Sequence, residues 1–367
     1  MALRRGFRDN FDWPLFVTSA AIAVVGVVNL YSATSAAVPG LRDIYIQQVY
    51  WLTLGAGVAV LIAAVDYRHY ERYGFIAYGV GVALLVLVFL LAREVRGSQR
   101  WIPIGGFSLQ PSEVMKVFFI IALAKHLHND PRIEGRTLKD LIVPGAILSL
   151  PLLLILKQPD LGTALILVFV FVTMMFLTHL KLRSLITLVV TMAVSAPLAW
   201  SYLLKPYQRD RVTSFMAPEK DLLGTGWHAY QAKVAIGSGG LTGKGFLQGT
   251  QNQHKFLPDQ HSDFPFPVWA EEHGFAGSIL LIVLYLVLVL WGIKIASEAK
   301  DRFGAVVSVG VSALIFWQTV INLGMVCGLL PVVGITLPLF SYGGSSVLTI
   351  MMGIGLLMNV SMRRFHF

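Results

Sequence analysis

The chain has 367 residues, 56% of them hydrophobic and 13% charged, with a formal net charge of +9 and a mean hydropathy of +0.69. Soluble domains carry about 25% charged residues, so this composition excludes an ordinary water-soluble fold. The basic excess falls in short clusters between apolar runs, which excludes the gathered cationic face that a nucleic-acid binder needs.

Apolar runs of the roughly 20 residues needed to cross about 30 Å of hydrocarbon occupy 13–32, 47–65, 73–92, 112–127, 141–157, 163–179, 184–204, 273–293, 303–322 and 345–361. They predict an all-α integral membrane protein, a polytopic bundle of about ten transmembrane helices forming a single domain over 1–367. The start, MALRRGFRDN, precedes an apolar run and small residues, as in a signal peptide. That run exceeds the usual h-region of about 7–15 residues, and it is read as the first span. Arg4, Arg68, Arg72, Lys125, Lys139, Lys181, Lys300, Arg363 and Arg364 alternate to one side, which the positive-inside rule makes cytoplasmic along with both termini.

The other side then receives residues 93–111, a turn at 157–162, a large extracytoplasmic loop at 205–272 between the seventh and eighth helices, and a Gly/Pro-rich stretch at 323–344. The large loop is too polar to span and, with Trp227, Tyr230, Phe246, Phe256 and Phe264, too aromatic for a disordered linker. Within it GWHAYQAKVAIGSGG predicts a short amphipathic helix ended by glycines. Cys327 lies in an apolar context and reads as a small core residue, with no partner for an internal disulfide.

Ionisable residues at membrane depth are costly unless they pair or line a wet cavity. Arg100 and Trp101, with Arg96, lie on the outer side against the positive-inside trend, where they are interfacial anchors or hold an anionic ligand such as a pyrophosphate. Glu113 and Lys116 stand three apart on one helical face and neutralise one another, either as a structural pair or in an active role. Asp160, at an outer helix end, is a candidate third member of that network. Arg209 and Arg211 form a second outer basic cluster. GSGGLTGKG at 237–245 fails the phosphate-loop pattern at both diagnostic positions and reads as a tight turn for close backbone approach.

In HSDFPFPVWAEEHG, Asp263 precedes two prolines that delay a helix. A carboxylate there is presented at a cavity mouth, partly desolvated and suited to act as a base, or else it is a helix N-cap. His261 reads as a hydrogen-bond partner in the loop. His254, Asp259, His261 and Asp263 are metal-ligand types without a fixed ligand spacing.

RWIPIGGFSLQPSEVMK, KQPDLGTA, AIGSGGLTGKGFLQGTQ, FLPDQHSDFPFPVWAEEHG and NLGMVCGLLPVVGITLPLFSYGGSS, in that order and across nearly the whole chain, resemble the SEDS family (shape, elongation, division and sporulation). The last motif and the short tails lie closer to its elongation branch than to its division branch. The resemblance implies a peptidoglycan glycosyltransferase that polymerises lipid II at the outer face of the bacterial inner membrane for cell elongation, with a class B penicillin-binding protein and the elongation complex as partners. It maps the family's acidic residue onto Asp263, with Ser262 where a threonine is usual, and Arg100, Trp101, Glu113, Lys116 and Asp160 onto the family's cavity. No cofactor is required by it; a divalent cation, Mg or Mn, is a candidate helper at the pyrophosphate. The competing reading from another class is a flippase or transporter of the same lipid-linked precursor, with the cavity as its path.

Overall fold

The computed structural model describes residues 11–35, 43–95, 98–104, 107–130, 135–178, 206–216, 225–253 and 260–364, with scattered positions between 181 and 201. The predicted seventh span, 184–204, lies for the most part outside the described residues, and His254, Phe256, Asp259 and Arg96 lie outside them altogether.

The chain runs through α1 (Trp13–Ser35), α2 (Ile44–Ala64), α3 (Tyr67–Leu91), α4 (Pro111–Asn129), α5 (Ile142–Lys157) and α6 (Leu161–Phe176). The outer segment contributes α7 (Pro206–Met216), α8 (Thr225–Ser238) and the single turn α9 (Thr250–Gln253). Three long helices close the bundle: α10 (Pro265–Ser297), α11 (Arg302–Val326) and α12 (Gly344–Arg363). Among the described helices seven are long and apolar enough to cross a membrane. Helix starts follow local chemistry. Asp66, Asp160 and Asp301 each accept a hydrogen bond from a backbone N–H in the first turn of α3, α6 and α11. Pro111 and Pro265 open α4 and α10 at the position where a missing N–H costs nothing.

Burial ranks the helices. α11 and α12 are buried over 72% and 83% of their apolar windows, against 17% for α2 and 22% for α3, so the former make the centre and the latter the rim. Leu61, Ile76 and Leu90 on the rim are more than half exposed. Exposed apolar side chains of this kind on long apolar helices fit a hydrocarbon surround.

Residues 93–111, expected as a loop, form a small antiparallel sheet of β1 (Arg93–Val95), β2 (Ser98–Ile104) and β3 (Phe107–Leu109). Its register pairs Arg93 with Trp101 and Ile102 with Leu109. Cys327, expected in the core, is exposed just past the end of α11, because the helix ends one residue before it.

α10 is two helices joined across Gly274, whose φ of 64° and ψ of −159° break the ladder. The turn after α8 fills that break: Lys244 and Gly245 donate to the carbonyls of Glu271 and Glu272, while Phe275 and Ala276 donate to those of Gly240 and Leu241. A Cβ on Gly274 would collide with the backbone of Gly243 and Leu241. The glycine-rich segment is therefore a close backbone approach, as its failed phosphate-loop pattern suggested. Two buried carboxylates fasten the same loop. Glu271 accepts from Lys244 Nζ at 2.7 Å, Thr250 Oγ1 at 3.0 Å and Gln251 N at 3.1 Å, and Glu272 accepts from Ser32 of α1.

Candidate functional site

A cavity of about 720 Å³ opens among α2, β2, α4, α6, α7, the turn before α10 and the strap between α11 and α12. The N-terminal ends of α4, α6 and α12 all reach it, through Gln110, Asp160 and Gly343 to Ser346. Each of those ends carries partial positive charge. The lining holds three cationic side chains, Arg100, Lys116 and Arg211, and three carboxylates, Glu113, Asp160 and Asp263.

Two of the carboxylates are buried and committed. Glu113, 8% exposed, faces Lys116 Nζ at 2.8 Å, the i,i+3 pair expected from spacing. Lys116 also lies 3.5 Å from Gln318 Oε1. Asp160, 3% exposed, caps α6 and collects Gln110 Nε2, Ser112 Oγ and Thr163 Oγ1 on one oxygen at 2.9, 3.0 and 2.9 Å. Arg100 Nη1 stands 3.8 Å from its other oxygen, while Arg100 Nε donates to Gln158 O at 3.0 Å. Arg100 thereby fixes β2 onto the start of α6 and keeps part of its guanidinium on the cavity.

Asp263 is placed differently. It lies in the turn 260–263 rather than in a helical first turn, and it keeps intermediate exposure. The helix N-cap reading of Asp263 fails for a simple reason: the cap position of α10 is Phe264, and Pro265 removes the first N–H. His261 and Ser262 line the cavity beside it, and the His261 carbonyl accepts from Tyr342 N at 2.9 Å. Burial pushes the Tyr342 phenol up from its ordinary value, so it stays protonated and donates to Gln47 Oε1 at 2.7 Å.

The fold thus gathers Arg100, Trp101, Glu113, Lys116, Asp160, Arg211, His261, Ser262 and Asp263 around one volume. Arg209 is not among the lining residues; it donates to Ser201 O at 3.0 Å. Two positions apart on a helix point to different faces, which separates it from Arg211. Sequence reading missed Gln318 and Asn322, both fully buried on α11. Gln318 donates to Thr336 O and to Ser346 Oγ, and Asn322 to Ile335 O, tying the strap to the helix. Two amides four apart in an apolar span were the available signal. Among the described residues no group of three or more His, Cys, Asp or Glu gathers as a metal site.

The family model for FtsW, RodA and SpoVE, described as "Cell cycle protein", matches residues 12–366. The chain belongs to this family. It is 37% identical to the peptidoglycan glycosyltransferase MrdB of Escherichia coli K12, over 97% of this chain and 94% of that one. It is 32% identical to the peptidoglycan glycosyltransferase RodA of Treponema pallidum, over 98% and 99%. Among solved structures, a chain from a peptidoglycan synthase complex that coordinates polymerization and crosslinking superposes with a TM-score of 0.84 at 33% identity, covering 97% of this chain and 99% of that one. The rod shape determining protein RodA of Thermus thermophilus gives 0.72 at 30%, covering 97% and 98%. For this FtsW/RodA/SpoVE chain the cavity is the place where a shared chemistry has to be sought.

Proposed function

We propose that the protein is a peptidoglycan glycosyltransferase of the elongation type, which polymerises lipid II within this cavity, with Asp263 as the general base. The observation that carries the reading is the difference in burial among the three cavity carboxylates: Glu113 and Asp160 are buried, whereas Asp263, in the turn before α10, keeps intermediate exposure to the volume. A base must reach the proton it takes.

The 4-hydroxyl of one lipid-linked disaccharide attacks the anomeric carbon of another. Asp263 accepts the hydroxyl proton as the new C–O bond forms. The bond to pyrophosphate breaks with inversion, giving a β-1,4 link and undecaprenyl pyrophosphate. The leaving group departs with its negative charge, so it needs cations rather than an acid; Arg211 and Arg100, with the helix ends, supply them. Trp101, His261 and Ser262 shape the sugar path, and Glu113, Lys116 and Asp160 hold the floor rigid. Arg209 belongs to the same outer segment without entering the cavity.

This reading sets ten spans in the bacterial inner membrane with both termini cytoplasmic and residues 205–272 as the extracytoplasmic loop of a single domain. The partner is a class B penicillin-binding protein, which crosslinks the strand made here.

The experiment is polymerisation of labelled lipid II by purified full-length protein. Asp263→Asn should lose about 10²–10⁴-fold in rate while its melting midpoint matches the parent. Polymer made at the parental rate sinks the assignment, and leaflet transfer of lipid II without chain growth returns the flippase reading.

A further inference from the structure

The turn that carries Asp263 and the helix start that follows it are held at three alternate backbone carbonyls by three separate elements. His261 O accepts from Tyr342 N of the strap, Asp263 O from Asn322 Nδ2 of α11 at 3.1 Å, and Pro265 O from Asn29 Nδ2 of α1 at 2.9 Å. Both asparagines are fully buried. Such an arrangement leaves the backbone of this turn little freedom to slide toward or away from the cavity.

Asn322 does more than fasten one carbonyl. Its single amino group also donates to Ile335 O at 2.6 Å, in the strap segment that lines the cavity next to the turn. Amide orientation is not open here, since a flipped side chain would set its oxygen against two carbonyl oxygens. The Asn322 Oδ1 atom has no hydrogen-bond partner, so the side chain's polar bonding lies in that bridge. One turn earlier on the same face, Gln318 ties Thr336 and Ser346, and its Oε1 lies beside Lys116. The α11 face therefore fixes the spacing between the carboxylate-bearing turn and the strap next to it.

We propose that Asn322 is a positioning residue for Asp263: its buried amino group bridges the turn and the strap and sets where the carboxylate stands relative to the bound sugar hydroxyl. This rests on Asp263 being the base. Misplacing a reacting group by about 1 Å can cost 10²-fold in rate, and removing the bridge frees the turn without touching the substrate's own contacts.

The test is steady-state polymerisation of lipid II by the full-length protein carrying Asn322→Ala, with Asn359→Ala as the control. Asn359 is equally buried and donates to two carbonyls, Ile62 O and Val65 O, far from the cavity. Both variants should lower the melting midpoint, but only Asn322→Ala should lower kcat, by roughly 10- to 10²-fold, with KM within about threefold of the parent. Asn322→Ser, a smaller cut, carries the same comparison if the alanine variant does not assemble. Equal kcat in the Asn322 and Asn359 variants overturns the proposal, as does a loss confined to KM. An active Asp263→Asn overturns the base reading and this proposal with it, whereas an inactive Asp263→Asn beside an undiminished Asn322→Ala overturns this proposal alone.

Discussion

Lys116 is 2% exposed, and its ammonium is balanced by Glu113 at 2.8 Å. Removing one partner from a buried pair leaves an uncompensated charge and costs about 3–5 kcal/mol, while removing both is far milder. Glu113→Gln and Lys116→Met should each lower the thermal-shift midpoint markedly, and the double variant should recover much of that loss. A double variant as unstable as the sum of the singles would show that the two side chains act independently. The cycle also decides how inactive variants here are read, because lost activity at Glu113 or Lys116 includes lost structure. This pair was legible from three-residue spacing inside an apolar run. The commitment of Asp160 to Gln110, Ser112 and Thr163 was legible only for Thr163, which lies three residues along the same helix start. Gln110 and Ser112 reach it from nearly fifty residues away, and no local periodicity encodes that meeting.

Secondary-structure elements show the same division between local signal and distant contact. Apolar run length located the long helices among the described residues, since a span must present about 20 apolar residues to lipid, while the expected seventh span falls for the most part outside them. The small sheet at 93–109 escaped because its strands are three to seven residues long, too short for alternation to stand out. The break in α10 escaped for another reason: a glycine inside an apolar helix is common, and only the arrival of the 239–245 turn shows that the ladder is open. Gly274 has φ of 64°, and backbone atoms of Gly243 and Leu241 occupy the space where a side chain would go. Gly274→Ala therefore combines a left-handed backbone with a collision, and should cost more than about 1 kcal/mol. The collision is with backbone, so relief requires the turn to lift from α10. Limited proteolysis within 239–253 should accelerate in Gly274→Ala, and unchanged cleavage would mean that the turn is not seated by this break.

At the scale of the whole molecule, the placement of charge supports the proposed orientation of the cavity. The clusters at Arg68 and Arg72, Lys300 and Arg302, and Arg363 and Arg364 lie at one end of the helices, and the cavity with its sheet, strap and loop lies at the other. On the proposed reading, counting basic residues in short loops puts the first end in the cytoplasm. Lipid-linked precursor would enter the cavity from the outer leaflet, where a strand can be handed to a crosslinking partner. Cysteine labelling tests this directly, because the chain has one native cysteine to remove. In a Cys327→Ser background, Leu241→Cys sits on the loop with 76% exposure, and Lys300→Cys sits in the exposed turn between α10 and α11. A membrane-impermeant maleimide added to intact spheroplasts should modify Leu241→Cys within minutes and reach Lys300→Cys only after permeabilisation. The reverse pattern would turn the cavity toward the cytoplasm, away from the leaflet where strands are assembled, and would remove the physical basis for polymerisation at Asp263.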